Sequence, residues 1–153
     1  MKDFVRNIVI LDRDGVINEH KKPYVINYKQ FRIIKNSLRG IYKLSKNKFL
    51  IAIATNQSCV GRRIVSKKVI EKIHSQFLKN LKKLGIKIYK FAVCYHHPLK
   101  NCKCRKPKTG LIESILNKNN YSFSQKWMIG DNLTDLVAGH DAGLNLILVK
   151  TGL

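Results

Sequence analysis

A doubly wound α/β fold, with a mainly parallel five-stranded sheet, is what this sequence predicts. Three observations point to it. Five short apolar, β-branched segments recur along the chain. Helical patterns with one apolar face lie between them. The scarce acidic residues and the other chemistry-bearing side chains cluster just after these segments, at what would be the carboxyl ends of strands, where open α/β sheets bind their ligands.

The predicted strands are Ile8–Leu11, Phe49–Ala54, Tyr89–Cys94, Trp127–Ile129 and Leu146–Val149. Their near-continuous hydrophobicity reads as parallel strands buried on both faces. The spacing predicts a helix over Ser37–Lys46, with Leu38, Ile41, Tyr42 and Ser45 on one face. A longer helix over Ser66–Leu84 carries Val69, Ile70, Ile73, Phe77 and Leu81, and Gly85 stops it. Thr109–Lys118 presents Leu111, Ile112, Ile115 and Leu116. Asn132–Ala142 presents Leu133, Leu136 and Val137 and ends near Gly143. Strand–helix alternation implies right-handed crossovers. No internal repeat, low-complexity tract or linker interrupts residues 1–153, so a single domain is expected.

Composition narrows the function classes. No apolar run approaches the roughly 20 residues that a membrane span needs, and the first residues lack a signal-peptide pattern. A cytoplasmic enzyme or binding domain, monomeric and without a membrane partner, is expected. Lys plus Arg number 30 against 9 Asp plus Glu, a formal net charge of +21. The lysines are scattered (Lys67-Lys68, Lys82-Lys83, Lys87, Lys90, Lys118) with no aromatic-laced basic block, which favours compositional drift over nucleic-acid binding. The charge nonetheless raises the local concentration of small anionic substrates.

Against that background Asp12 and Asp14 stand out. At i and i+2 on a strand end they share one face, and their repulsion calls for a cation or a shared proton. Thr55-Asn56-Gln57-Ser58 follows the second strand, Arg105-Lys106-Pro107 lies after the third, and Gly130-Asp131-Asn132 with Asp135 follows the fourth. Each has a bland alternative: a turn at Asp12 and Asp14 or at Thr55-Asn56, a helix cap at Asp131, a solvated helix position at Asp135, and one lysine among many at Lys106.

In that order, Asp-x-Asp-Gly, Thr-Asn, Lys-Pro and Gly-Asp-x-x-x-Asp resemble the haloacid-dehalogenase-like (HAD-like) phosphatase superfamily, over nearly the whole chain. The resemblance implies a Rossmann-like sheet and hydrolysis of a phosphate monoester through an aspartyl-phosphate. Asp12 would be the nucleophile. Asp14 would protonate the leaving oxygen and then activate water. Thr55 and the amide of Asn56 would hold phosphoryl oxygens, and Lys106 would neutralise charge on the transferring group. The implied Mg²⁺ ligands are the Asp12 carboxylate, the Asp14 main-chain carbonyl and Asp131, with Asp135 orienting Lys106 or the metal's surroundings.

A second cluster is more diagnostic. Cys94-Tyr95-His96-His97-Pro98 is followed by Cys102-Lys103-Cys104, so three of the four cysteines share one short stretch. Thiolates and imidazole at this spacing suit a tetrahedral, structural Zn²⁺ held by Cys94, His96, Cys102 and Cys104, with His97 as an alternative to His96. Disulfides are the competing reading, disfavoured in a cytoplasmic setting. Arg105 and Lys106 follow the last ligand directly, so such a site would aim them.

Together with Asp-Arg-Asp-Gly-Val-Ile-Asn and Thr-Asn-Gln-Ser, this loop is similar to the D-glycero-D-manno-heptose 1,7-bisphosphate 7-phosphatase and histidinol-phosphatase family. Such enzymes are cap-less and act on small phosphorylated substrates, here a sugar bisphosphate for lipopolysaccharide core precursors. Motif match implies substrate contacts from Glu19, His20, Tyr24, Asn56, Gln57, Ser58, Arg105, Lys106 and Asn132, with Arg105 suited to a second phosphate. There are three departures. Cys59 replaces the family's glycine, and would be strained if the position needs positive φ. The loop at Lys21-Lys22-Pro23 is slightly longer. Relatives tend to carry more chain after the fifth strand. Three alternatives stand beside this reading: histidinol phosphate as substrate, a polynucleotide end-processing phosphatase, and a zinc-braced module without catalysis.

Overall fold

The computed structural model describes residues 5–118 and 121–152. Strands β1 (Val5–Leu11), β2 (Leu50–Asn56), β3 (Ile88–Cys94), β4 (Ser122–Gly130) and β5 (Asn145–Leu148) form one sheet in the order β3-β2-β1-β4-β5. Every pairing is parallel, with Ile10 opposite Ala52 and Met128. The order reverses direction between β1 and β4, the switch point at which such sheets open a crevice.

Alternation along the strands builds two cores. Val9, Leu11, Ile51 and Ile53 face helices α1 (Lys35–Lys46) and α3 (Lys67–Lys83) through Ile41, Ile70, Ile73, Phe77 and Leu81. Ile8, Ile10, Ala52, Ala54, Cys94 and Met128 face α4 (Gly110–Leu116) and α5 (Leu133–Asp141) through Leu111, Ile112, Ile115 and Ala138. A short helix, α2 (Ser58–Gly61), starts right after β2. Among the described residues no helix is long and apolar enough to cross a membrane.

Several expectations need correction. The edge strands are not buried on both faces: β5 is exposed throughout and β3 is mostly half-buried. Strand β4 begins at Ser122, five residues before its apolar stretch, because β1 supplies hydrogen-bonding partners as far as Val5. Helix α5 does not bury Leu133 (71% exposed) or Val137. It packs through Ala138 and Gly139, since a Cβ at Gly139 would run into Met128 and Leu146. Tyr42 and Val69 likewise face outward. Cys59 lies in α2, wholly buried and not among the residues of positive φ, so it carries no such strain.

Candidate active site

Three strand ends and one loop supply the site. Asp12 follows β1, and its backbone N–H donates to the Ile129 carbonyl at 2.9 Å, which fixes it beside the end of β4. Gly15 turns the chain back with φ +82. A side chain there would overlap the Asp131 carboxylate, and so would one at Gly152, in the segment after β5. Thr151 latches that segment to the turn by donating its hydroxyl to the Gly15 carbonyl. Asp131 is thus enclosed by two glycines that leave its carboxylate just enough room.

Lys106 is the centre of charge. Its Nζ lies 2.7 Å from Asp12 Oδ1, 2.6 Å from Asp135 Oδ1 and 2.6 Å from the Ala54 carbonyl, and the residue is 2% exposed. All three ammonium protons therefore have acceptors, as a buried charge requires. Burial works to lower the Lys106 pKa, but Asp12 and Asp135 outweigh it and hold the ammonium above its ordinary value. Burial pushes the Asp12 carboxyl up to about 7 against the pull of Lys106, with Asp135 adding repulsion. Burial and Asp135 also raise Asp131. Carboxylate oxygens of Asp12, Asp131 and Asp135 lie within 4.8 Å of one another, a spacing one divalent cation can span. Asp135 gives Oδ1 to Lys106 and accepts the Asn132 N–H on Oδ2 at 3.2 Å. Among the described residues this leaves Asp12 Oδ2 and Asp131 as the more open oxygens.

The bland reading of Asp131 as a helix cap fails. Asn132 caps α5, accepting the Thr134 N–H at 3.2 Å, and Asp135 completes a capping box. Asn132, read from the sequence as a substrate contact, has its side-chain oxygen engaged there. Asp135 is buried rather than solvated.

The second strand end is a hydrogen-bonded relay. Gln57 Nε2 donates to Thr55 Oγ1 and to Asp14 Oδ2, both at 2.9 Å. Asn56 exchanges two bonds with the Lys106 backbone: its Nδ2 donates to the Lys106 carbonyl at 3.1 Å and its Oδ1 accepts the Lys106 N–H at 3.2 Å. The side chains of Gln57 and Asn56 thus hold other site residues, while Thr55 is 1% exposed. Tyr24 and Ser58 meet at 3.4 Å between hydroxyls. Glu19 and His20 are exposed on the loop after β1 and line an open cavity of about 520 Å³ with Lys21, Asn27 and Arg32. His20 Nδ1 sits 3.9 Å from Asp131 Oδ2. Arg105 has a buried Nη1 with no hydrogen-bond partner among the described residues.

Sequence reading missed the residue between the two acids. Arg13 is 0% exposed. Its Nη2 meets both oxygens of Asp14 at 2.8 Å, and Asn18 Nδ2 adds a third donor group to Asp14 at 2.9 Å. Burial would raise Asp14, but Arg13, Asn18 and Gln57 hold it below the ordinary carboxylate value. On the other side, Arg13 Nη1 lies 2.8 Å from His74 Nε2. The available signal was a histidine in the apolar stripe of α3, next to Ile70, Ile73 and Phe77.

The Cys/His loop follows β3. Cys94 Sγ lies 3.5 Å from His96 Nδ1, 3.6 Å from Cys102 Sγ and 3.2 Å from Cys104 Sγ, and His96 Nδ1 lies 3.2 Å from Cys104 Sγ. The edges of a tetrahedron of Zn–S bonds are about 3.8 Å, so the four donors stand close to the right separations for one ion. All four cysteines are free thiols. His97 Nδ1 instead accepts the Leu99 N–H at 3.2 Å, inside the loop's own turn.

Comparison with known proteins matches this geometry to a family. The HAD-hydrolase-like family model matches residues 103–153. Over 145 residues the chain is 34% identical to the D-glycero-beta-D-manno-heptose-1,7-bisphosphate 7-phosphatase of Neisseria meningitidis, covering 95% of this chain and 78% of that protein. The chain belongs to the HAD-like phosphatase family. Among solved structures, D,D-heptose 1,7-bisphosphate phosphatase from B. bronchiseptica, complexed with magnesium and phosphate, superposes with a TM-score of 0.89 at 31% identity, covering 95% of this phosphatase and 82% of that chain. The histidine biosynthesis bifunctional protein HisB of Campylobacter jejuni is 31% identical over 141 residues, 91% of this chain and 40% of that one.

Proposed function

We propose that this chain is a Mg²⁺-dependent phosphatase that removes the 7-phosphate of D-glycero-D-manno-heptose 1,7-bisphosphate through an aspartyl-phosphate. The observation that carries the chemistry is Lys106 bridging Asp12 and Asp135 at the switch point, beside Thr55 and Asp131. The heptose substrate rests on the relatives that cover most of their length with this chain.

Asp12 attacks phosphorus, and the bond to the leaving oxygen breaks. Lys106, charged and without freedom to swing, holds the Asp12 carboxylate in one orientation at the end of β1. Thr55 and the Asn56 N–H orient phosphoryl oxygens. The Asp12 carboxylate, Asp131 and the Asp14 carbonyl would hold Mg²⁺, which supplies Lewis-acid neutralisation of the phosphoryl charge. Every side-chain partner of Asp14 is a donor, so the resting site favours its carboxylate, the form that takes a proton from the attacking water. To deliver a proton to the leaving oxygen, the protonated acid gives up one of these N–H bonds. Arg105, half-buried and next to Lys106 in the chain, is the cation for the second phosphate.

The Cys94, His96, Cys102, Cys104 set would hold a structural Zn²⁺, since all four positions are filled by protein donors. Residue 104 is followed at once by Arg105 and Lys106, so this loop sets where both cations stand.

The test is a substrate panel with Mg²⁺: heptose 1,7-bisphosphate, histidinol phosphate and a DNA 3′-phosphate. The heptose substrate is expected to give the highest kcat/KM, with Asp12→Asn lowering it by on the order of 10⁴-fold. Preference for histidinol phosphate would overturn the substrate, and retained activity in Asp12→Asn would overturn the mechanism.

A further inference from the structure

The connection from Asp14 into the interior is not used by the mechanism above. Arg13 is the largest fully buried side chain among the described residues. Its guanidinium carries donors only. Therefore His74 Nε2, 2.8 Å from Arg13 Nη1, must be the acceptor, and His74 is the neutral tautomer with its proton on Nδ1. The His74 ring stacks on Phe91 with centroids 4.3 Å apart. The guanidinium carbon lies 5.6 Å from the centre of the Phe31 ring. Two aromatic residues and one imidazole nitrogen thus fix the plane and rotation of the guanidinium. That plane in turn presents Nη2 to both oxygens of Asp14.

We propose that Arg13 and His74 are positioning residues that set the orientation of the Asp14 carboxyl for proton transfer to and from the reacting oxygens. The proposal rests on the role given to Asp14 above. Neither Arg13 nor His74 touches substrate. His74 acts through Arg13, and Arg13 acts through Asp14. A cavity of about 410 Å³ is bordered by His74, Phe91 and Tyr95. Truncating His74 would open a way for water to take over the Arg13 N–H, and the guanidinium would lose the contact that fixes it.

General acid catalysis matters most for a poor leaving group, so the signature is a contrast between substrates rather than a loss of rate alone. An alkyl phosphate needs a proton on its leaving oxygen. p-Nitrophenyl phosphate leaves as a stable anion and needs almost none. The measurement is kcat/KM, which reports the steps through aspartyl-phosphate formation, on heptose 1,7-bisphosphate and on p-nitrophenyl phosphate. The variants are His74→Leu, His74→Gln, Arg13→Lys and Asp14→Asn. His74→Leu is expected to lower the alkyl value by about 10- to 100-fold and the aryl value by less than about threefold. His74→Gln retains an acceptor oxygen and is expected to recover most of the alkyl value. Arg13→Lys, which keeps the charge and loses the fork, is expected to show the same contrast as His74→Leu and serves if the leucine variant does not fold. Equal losses on both substrates, or no loss on either, would overturn the proposal. Asp14→Asn separates the two levels: if it shows the contrast and His74→Leu and Arg13→Lys do not, only the positioning pair is wrong. If Asp14→Asn shows no contrast, the acid–base reading of Asp14 falls as well.

Discussion

Asn56 and His74 show how much of the site's order is held by side chains that do no chemistry. The two bonds between Asn56 and the Lys106 backbone tie the end of β2 to the loop that carries the ammonium. Asn56→Ala should cost about 1–3 kcal/mol of stability from two lost hydrogen bonds. It should also lower kcat by up to roughly 100-fold if Lys106 shifts by an ångström. Denaturant titration and steady-state kinetics on one preparation check both. His74 makes a pH prediction. Burial and the adjacent Arg13 push its pKa down from 6.5 to about 3, with Asp14 partly opposing. Above pH 6.5 both folded and unfolded chains hold it neutral. As pH falls below 6.5 the unfolded chain gains a proton that the folded one refuses, so stability drops by about 1.4 kcal/mol per unit until about pH 3. Between pH 7 and 5 wild type should lose about 2 kcal/mol more than His74→Gln, measured by urea unfolding. At this scale the sequence marked Asp12, Thr55, Lys106 and Asp131 for the place where they meet, because strand ends announce themselves by apolar runs. It was silent on Arg13 and on the second roles of Gln57, Asn56 and Asn132, because nothing local in a sequence says which partner a buried donor finds.

At the scale of elements, the loop from Cys94 to Cys104 is the part that short-range pattern described best, since metal-ligand spacing is itself a short-range pattern. Cys94, His96, Cys102 and Cys104 bring their donors together, while His97 Nδ1 accepts the Leu99 N–H instead. Cys102→Ser should cut bound zinc well below the one ion per chain expected of wild type, measured by atomic emission. It should also reduce kcat toward the heptose substrate, because the ion and Lys106 share one short stretch of backbone. The helices were legible wherever a broad apolar stripe met the sheet, as in α3. Helix α5 was misread on its outer side, since it meets β4 and β5 through Ala138 and Gly139, whose smallness carries no periodic signal. The first half of β4 was equally silent: Ser122, Ser124 and Gln125 are polar, and their place in a strand is decided by β1 alongside them.

On the scale of the whole molecule, the net charge of +21 surrounds a site that must attract a multiply charged anion. The substrate's encounter should therefore weaken with salt. Raising NaCl from 20 to 300 mM is expected to raise KM for the bisphosphate several-fold while kcat stays within about twofold, because the buried Lys106–Asp12 contact is screened far less than the surface field. An uncharged competitive ligand would show no such trend. The two ends of the β1 turn and the segment after β5 meet only in three dimensions, at Gly15, Asp131 and Gly152. With Asp131 as a proposed ligand of Mg²⁺, position 152 is expected to tune divalent-ion affinity, although it lies 140 residues along the sequence from Asp12. Exchanging it for alanine adds one methyl group that would run into the Asp131 carboxylate, so the magnesium concentration needed for half-maximal activity is expected to rise, measured by titrating Mg²⁺ in the activity assay.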